Sequence, residues 1–123
     1  MISRSSLSSR VIFVENNHKF IYTFLCGWVV VNFIWDSSKN EANVMKHGLA
    51  FEDAVHVFED DHLLEVFDSV HSTPDEARWK AIGMVRKVIC VIYTERGEDI
   101  RIISARVANA EERYEYYSHY DIG

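Results

Sequence analysis

Hydrophobic positions change their spacing along the chain, and each change predicts a different kind of element. Apolar residues at 33–35 predict a short strand. Phe51, Ala54, Val55 and Phe58 follow at helical spacing, which predicts a helix with one apolar face. Further along, the pattern favours extended chain, and the predicted strands cover residues 63–68, 78–85, 88–94 and 100–106.

Capping and turn residues mark the ends of several predicted elements. Asp36 or either of the two serines after it can cap a first helix, and Gly48 suits the left-handed position at its end. Gly97 predicts a tight turn between the last two strands. With a final helix over 109–120, the order is β-α-α-β-β-β-β-α. We therefore predict an α+β fold with helices packed on a twisted antiparallel sheet of four to five strands.

The N-terminal residues differ from the remainder of the chain. A serine-rich start is followed by an apolar run over 20–35, which is short for a bilayer span and includes Asn32. We expect residues 1–31 to be an extension, either disordered or the product of a start codon assigned too early. The domain itself is then expected over residues 32–120. A membrane anchor formed by the apolar run is the alternative.

Composition and charge narrow the possible functions. The chain has 123 residues, 48% of them hydrophobic, which fits one domain. Cys26 and Cys90 lie far apart and the histidines show no ligand spacing, so we expect a cytoplasmic protein with no metal and no cofactor. The net charge of -6 would repel a phosphate backbone. Any contact with RNA would therefore depend on a local cluster of arginines.

Several short motifs occur in order between residue 33 and about residue 117. They read W-D-x-x-K, N-x-x-K-H-G, F-E-x-A, Y-T-E-R-G and R-I-I-S-A-R. In this combination the chain resembles the BrnT family of toxins. The resemblance implies a RelE-like fold and a metal-independent endoribonuclease that cleaves RNA and halts translation, as the toxin of a type II toxin–antitoxin system. It also implies a BrnA-like antitoxin with a ribbon-helix-helix part, through which any contact with DNA would be indirect.

A metal-independent ribonuclease must take the 2′-hydroxyl proton, stabilise the charge that develops on phosphorus, and protonate the leaving 5′-oxygen. Trp79 or Tyr93 could stack on a base. The candidates for stabilising the charge on phosphorus are four arginines of the last strands: Arg78, Arg96, Arg101 and Arg106. The candidates for proton transfer are four polar residues in or near the motifs: Lys46, His47, Tyr93 and Glu95.

Each candidate also has a structural alternative. Glu95 and Arg96 could form only a surface ion pair, His47 could cap the first helix, and Trp79 could be a core residue. Strict alternation predicts Arg101, together with Ile103 and Ala105, on the sheet face opposite Arg106, unless a bulge intervenes. One of these two arginines is therefore expected to be structural. The alternative function is a catalytically inactive binding module that only sequesters a partner protein.

Overall fold

The computed structural model describes the backbone of residues 10–15, 19–24 and 27–122 and the side chains of residues 32–120. Within these ranges it contains seven strands, three α-helices and one 3-10 helix. In chain order they are β1 (Arg10–Glu15), β2 (Lys19–Phe24), β3 (Gly27–Ile34), α1 (Ser37–His47), α2 (Phe51–Ala54), the 3-10 helix (Val55–Glu59), β4 (Leu64–Phe67), β5 (Trp79–Val85), β6 (Lys87–Arg96), β7 (Asp99–Val107) and α3 (Ala110–Ile122).

The strands form one mixed sheet in the order β1-β2-β3-β7-β6-β5-β4. The α+β class is confirmed, but the prediction of a purely antiparallel sheet is wrong. β3 and β7 run parallel, with Phe33 opposite Ile100 and Ile34 opposite Arg101. The reason is topological, because the chain leaves β3 through helices and a three-strand meander before it returns beside β3 in the same direction. The five strands from β3 to β7 correspond to the strands that the hydrophobic pattern predicts between residues 33 and 106.

Helices cover both faces of this sheet. β6 is buried from Val88 to Thr94, and a central strand with such a continuous apolar run needs cover on both sides. On one face, here called the α1 face, α1, α2 and the 3-10 helix pack on the sheet through a core that includes Phe51, Phe58 and Tyr93. On the opposite face, here called the α3 face, Tyr116 of α3 packs on Ile82, Cys90 and Ile92.

The predicted caps of α1 and the turn before β7 are confirmed. The Asp36 carboxylate accepts hydrogen bonds from the backbone N–H groups of Ser38 and Lys39, at 2.8 and 3.1 Å. Gly48 ends α1 in the left-handed conformation at φ 69°, and Gly97 also has a positive φ, of 62°. Helix caps and left-handed glycines depend on one or two residues and can therefore be predicted from local sequence.

The second predicted helix changes type after one turn. α2 ends at Ala54 and continues as the 3-10 helix, in which residues three apart lie above one another. Ala54 and Val57 therefore point the same way, as do Val55 and Phe58, and all four are fully buried. The apolar face predicted for this segment is retained through the change of helix type.

Asn43 of α1 completes the hydrogen bonding of β7 where β3 no longer reaches. The paired register of β3 with β7 ends at Ile34 and Arg101. Further along β7, the Asn43 side chain donates to the carbonyl of Ala105 at 2.8 Å and accepts from its N–H at 3.1 Å. Buried backbone groups need such partners, so this side chain replaces a strand neighbour.

β1, β2 and most of β3 belong to the N-terminal region that the sequence separates from the domain. β1 pairs with β2 and β2 with β3, whereas the register that joins β3 to the rest of the sheet involves Phe33 and Ile34. The first strand of the motif region thus begins at Gly27 rather than at Phe33. Among the described residues, no helix has the length and apolar character needed to cross a membrane.

Candidate functional site

A bulge in β7 decides which arginines share a face of the sheet. Ile92 lies opposite Ser104 and the next residue of β6, Tyr93, lies opposite Ile102, so Ile103 is the extra residue. On either side of this bulge, Arg101 pairs with Thr94 and Arg106 pairs with Cys90. Thr94 and Cys90 are four residues apart on one strand and therefore face the same way. Arg101 and Arg106 both lie on the α3 face, which corrects the expectation that they lie on opposite faces.

Two further cations, Lys80 and Arg78, lie on the same face as Arg101 and Arg106. Lys80 of β5 binds Glu112 of α3, the carboxylate that Arg106 of β7 also binds, and is therefore on the same side of the sheet as Arg106. Arg78 precedes Lys80 by two residues, so alternation directs it to the same side. We call Arg78, Lys80, Arg101 and Arg106 the basic sheet face. An acidic chain thus gathers positive charge locally, as the sequence requires of any RNA contact.

Glu112 is the buried anchor of this face. Its side chain is 2% exposed and accepts two bonds from the Arg106 guanidinium, at 2.7 and 2.9 Å, and one from Lys80 Nζ at 3.1 Å. Burial alone would raise the pKa of Glu112, but the bonds from Arg106, the Asn109 backbone and Lys80 lower that pKa to about 2. The bond to Glu112 raises the pKa of Arg106 above its usual value. A buried carboxylate thus holds Arg106 against α3.

The same carboxylate caps α3. The Asn109 backbone N–H donates to Glu112 Oε1 at 2.9 Å, and the Glu112 N–H donates to Asn109 Oδ1 at 2.8 Å. This reciprocal pair is a capping box, and the spacing N-x-x-E before a helix is a signal from which the role of Glu112 could have been found. Sequence reasoning missed Glu112 and Lys80.

Arg101 differs from its neighbours on the basic sheet face. It is half-buried, and within residues 32–120 it has no ion pair or hydrogen bond from its side chain. Its charge lies close enough to Asp36 to contribute to lowering the pKa of that carboxyl, after the larger effect of the Lys39 and Ser38 backbone bonds. No side chain of residues 32–120 therefore occupies the donors of its guanidinium.

A second group of candidates meets where β5 begins and β6 ends. Glu76, which sequence reasoning missed, binds Arg78 with one oxygen and Arg96 with the other, each at 3.3 Å. A pocket of about 270 Å³ opens beside this carboxylate, and its lining includes Trp79 and Glu95. Three predicted residues, Trp79, Glu95 and Arg96, line this pocket, and the shared ion pair with Glu76 places Arg78 beside it.

The aromatic candidates point toward the α1 face. Tyr93 is 3% exposed, its ring packs on Phe58 with centroids 5.4 Å apart, and its hydroxyl donates to Glu65. Trp79 packs edge-on against Phe67 with centroids 5.4 Å apart, and it also borders the pocket. The indole is thus partly a core residue and partly exposed to a ligand, whereas the phenol is enclosed.

Lys46 and His47 lie away from the other candidates. They end α1, which Asn43 ties to β7 on the α1 face. None of the hydrogen bonds or ion pairs among residues 32–120 joins them to the basic sheet face. Both stand in the last turn of the helix, where positive charge favours the helix dipole.

Other reactive groups are scarce in this part of the chain. Among the described residues there is no group of three or more His, Cys, Asp or Glu side chains placed to hold a metal ion. Burial raises the pKa of the Cys90 thiol to about 12. This thiol therefore stays protonated at neutral pH and lacks the reactivity of a thiolate.

Comparisons with known proteins give a match to a family model and to a solved structure. The family model described as the ribonuclease toxin BrnT of a type II toxin–antitoxin system matches residues 35–112. The crystal structure of the Brucella abortus ribonuclease toxin BrnT is 29% identical, covers 63% of this chain and 95% of its own, and gives a TM-score of 0.45. No curated protein matches the chain.

Proposed function

Because the chain belongs to the BrnT family of ribonuclease toxins of type II toxin–antitoxin systems, we propose that it is a metal-independent endoribonuclease that cleaves RNA and halts translation. The observation that carries the proposal is the basic sheet face on an otherwise acidic chain. Carboxylates hold three of its cations, Arg78, Lys80 and Arg106, in place before any ligand binds, and fixed charges of this kind are what stabilises a charge that develops during a reaction.

Arg101 is proposed as the main phosphate ligand. Thr94 pairs with Arg101, and the preceding residue, Tyr93, pairs with Trp79, which follows Arg78. Extending this register by one residue, with strands about 4.8 Å apart, places the Cβ atoms of Arg78 and Arg101 roughly 10 Å apart. Two long side chains can converge on one phosphate across that span, and each guanidinium can bind two of its oxygens. Arg106 and Arg96 are proposed to add positive charge from their places against Glu112 and Glu76.

The pocket beside Glu76 is proposed to hold a base of the RNA. Trp79 lines it and offers a ring face for stacking, which contributes about 1 to 3 kcal/mol per base in proteins that bind single strands. Glu95 lines the same pocket and stays a candidate for proton transfer. Tyr93, Lys46 and His47 lie away from this surface, so we do not extend the proposal to them.

The wider assignment follows the family. An antitoxin partner is implied by the type II system. We propose that it is BrnA-like with a ribbon-helix-helix part, that DNA is contacted only through it, and that the toxin acts in the cytoplasm. We also propose that the fold is RelE-like and that residues 32–120 form the toxin domain, with residues 1–31 as an extension. The start of the family match at residue 35 supports this division.

Arg101→Ala tests the cleavage proposal. We expect the variant to cleave RNA roughly 100-fold more slowly than the unaltered chain, the usual effect of losing one charge-stabilising donor. Arg101→Lys should recover only part of the rate, because an ammonium cannot bind two oxygens in a fork. Cleavage is followed on mixed-sequence RNA with the purified chain, and in a translating extract in parallel. EDTA should not inhibit it, and DNA of the same sequence should stay intact.

Arg86→Asn is the matched control. Arg86 is an exposed arginine at the turn between β5 and β6, at the far end of these strands, and asparagine tolerates its positive φ of 62°. This variant should cleave as the unaltered chain does. Equal rates for the Arg101 and Arg86 variants would refute the role of Arg101.

The inactive binding module is the second candidate function. It is favoured by the ion pairs that occupy Arg78, Arg96 and Arg106, because an arginine held by a carboxylate offers fewer donors to a phosphate. A chain that binds its antitoxin but cleaves no RNA, and that does not arrest growth when expressed alone, would establish this function instead.

A further inference from the structure

The loop between β4 and β5 is closed at its base by a set of short hydrogen bonds. The Asp68 N–H donates to the carbonyl of Arg78 at 2.9 Å. Ser72 Oγ accepts from the Arg78 N–H at 2.8 Å and donates to the Asp68 carbonyl at 2.6 Å. Residues 68–72 are thereby held beside Arg78, the first member of the basic sheet face.

Within this loop Asp68 and His71 form a close pair. Asp68 Oδ2 lies 2.7 Å from His71 Nδ1, and Asp68 Oδ1 accepts the His71 backbone N–H at 3.3 Å. The carboxylate side chain is 1% exposed and the imidazole is 55% exposed. An ionised carboxylate can only accept, so the proton of the neutral ring is placed on Nδ1 and the lone pair on Nε2. The ring therefore turns a basic nitrogen toward solvent.

The pair lies on the side of the sheet that carries the cations. Asp68 follows Val66 by two residues, and Val66 packs with the core of the α3 face. The Asp68 charge contributes to raising the pKa of Lys80 and Arg106, in each case after larger effects of burial and of Glu112. Lys80 of β5 and Arg106 of β7, the two cations on which the Asp68 charge acts, both bind Glu112 of α3. At the end of the loop, Arg78 binds Glu76.

Other described histidines do not show this arrangement. His56 pairs with Glu59 at 3.1 Å, but both side chains are substantially exposed, at 42% and 31%. The His62 ring packs against Tyr120 with centroids 3.8 Å apart. A buried carboxylate behind an exposed imidazole is the arrangement that holds a histidine in one tautomer for proton transfer. The spacing D-x-x-H in a loop gives no sequence signal for it, and sequence reasoning missed it.

We propose that His71 is the general base of the RNA cleavage reaction and that Asp68 is its positioning residue, an inference that rests on the proposed function. His71 Nε2 takes the proton of the 2′-hydroxyl, whose oxygen forms a bond to the adjacent phosphorus. The bond from phosphorus to the 5′-oxygen breaks, and the leaving oxygen takes a proton from water. His71 then returns its proton to the hydroxide that remains, so the products are a 2′,3′-cyclic phosphate and a 5′-hydroxyl.

His71→Gln and His71→Gly test the assignment, with His56→Gln as the matched control. Loss of a general base lowers the rate of a reaction by about 10² to 10⁴-fold. We therefore expect both His71 variants to cleave RNA more slowly by a factor in this range, and His56→Gln to cleave at the rate of the unaltered chain. The dependence of the cleavage rate on pH should also differ between the unaltered chain and the His71 variants. Added imidazole should restore part of the activity of His71→Gly.

Asp68→Asn separates a positioning role from a purely structural one. The amide cannot stabilise an imidazolium and can donate to Nδ1, which favours the wrong tautomer. We expect a lower cleavage rate and a changed dependence of that rate on pH. Circular dichroism and the melting temperature of each variant show whether it is folded, and the exposed His71 variants keep the test valid if Asp68→Asn does not fold.

The outcomes distinguish this inference from the function on which it rests. If the unaltered chain cleaves RNA and the His71 variants cleave as fast as His56→Gln, the assignment of His71 is refuted and the ribonuclease stands. If imidazole fails to restore His71→Gly while its rate is low, a structural role for the ring replaces the catalytic one. If the unaltered chain cleaves no RNA in buffer or in a translating extract, both the ribonuclease and its general base are refuted.

Discussion

Glu112→Gln tests how much stability one buried carboxylate contributes where α3 meets the sheet. The substitution keeps the size of the side chain and one acceptor oxygen, but it removes the charge that Arg106 and Lys80 share. The pKa of this carboxyl falls from 4.5 to about 2 in the folded chain, because the bonds from Arg106, Asn109 and Lys80 outweigh the opposing effect of burial.

The magnitude follows from linkage between protonation and folding. Each pH unit of difference between folded and unfolded pKa corresponds to about 1.4 kcal/mol. The ionised carboxylate of Glu112 therefore contributes about 3 kcal/mol to the free energy of unfolding at neutral pH. Because the folded pKa is the lower one, this contribution is complete above about pH 5 and is lost as the pH falls toward 2, with roughly 1 kcal/mol already lost at pH 3.5.

The assay is urea unfolding of the unaltered chain and of Glu112→Gln at pH 7 and at pH 3.5. The difference in unfolding free energy between the two proteins should shrink by roughly 1 kcal/mol on acidification. Glu111→Gln serves as the control, because Glu111 is an exposed acid in the same first turn of α3 and experiences a similar helix dipole. A difference that stays constant between the two pH values, or that Glu111→Gln reproduces, would refute the calculation.

Two further substitutions probe the α1 face. Gly83→Ala should destabilise the chain by about 1 to 3 kcal/mol, as overpacking does, since the new Cβ would lie 2.6 Å from Val57 Cγ2. In urea unfolding, Val57→Ala should offset part of this loss, and strictly additive effects would contradict the proposed clash. Tyr93→Phe should lower the unfolding free energy by about 1 to 2 kcal/mol through loss of the bond to Glu65, with RNA cleavage unchanged. If Tyr93→Phe instead cleaves RNA more slowly and its unfolding free energy is unchanged, the result would support a role of Tyr93 in proton transfer.

Local signals in the sequence predicted the elements and the family well. Asp36 and Gly48 bound α1 as expected because caps and left-handed positions depend on one or two residues and their immediate backbone. The ordered motifs identified the family that the match over residues 35–112 also gives. The arginines of the motifs lie on or beside one surface, as the chemistry of a ribonuclease suggested.

Features that depend on long-range packing could not be predicted. The bulge at Ile103 lies among apolar residues that suit either face, so alternation gave the wrong relation between Arg101 and Arg106. An acid in the first turn of a helix is typical of an exposed cap, and only the docking of α3 shows that Glu112 is buried. The parallel pairing of β3 and β7 joins residues that no local pattern connects.

That parallel pairing also has a consequence for synthesis on the ribosome. The hydrogen bond from Asn32 to Asp99 joins residues 67 positions apart, and β3 meets β7 at the same place. At elongation rates of about 5 to 20 residues per second, β3 waits roughly 3 to 13 seconds before its partner strand exists. During that interval the edge of β3 that later pairs with β7 stays open to other strands, including those of a neighbouring nascent chain.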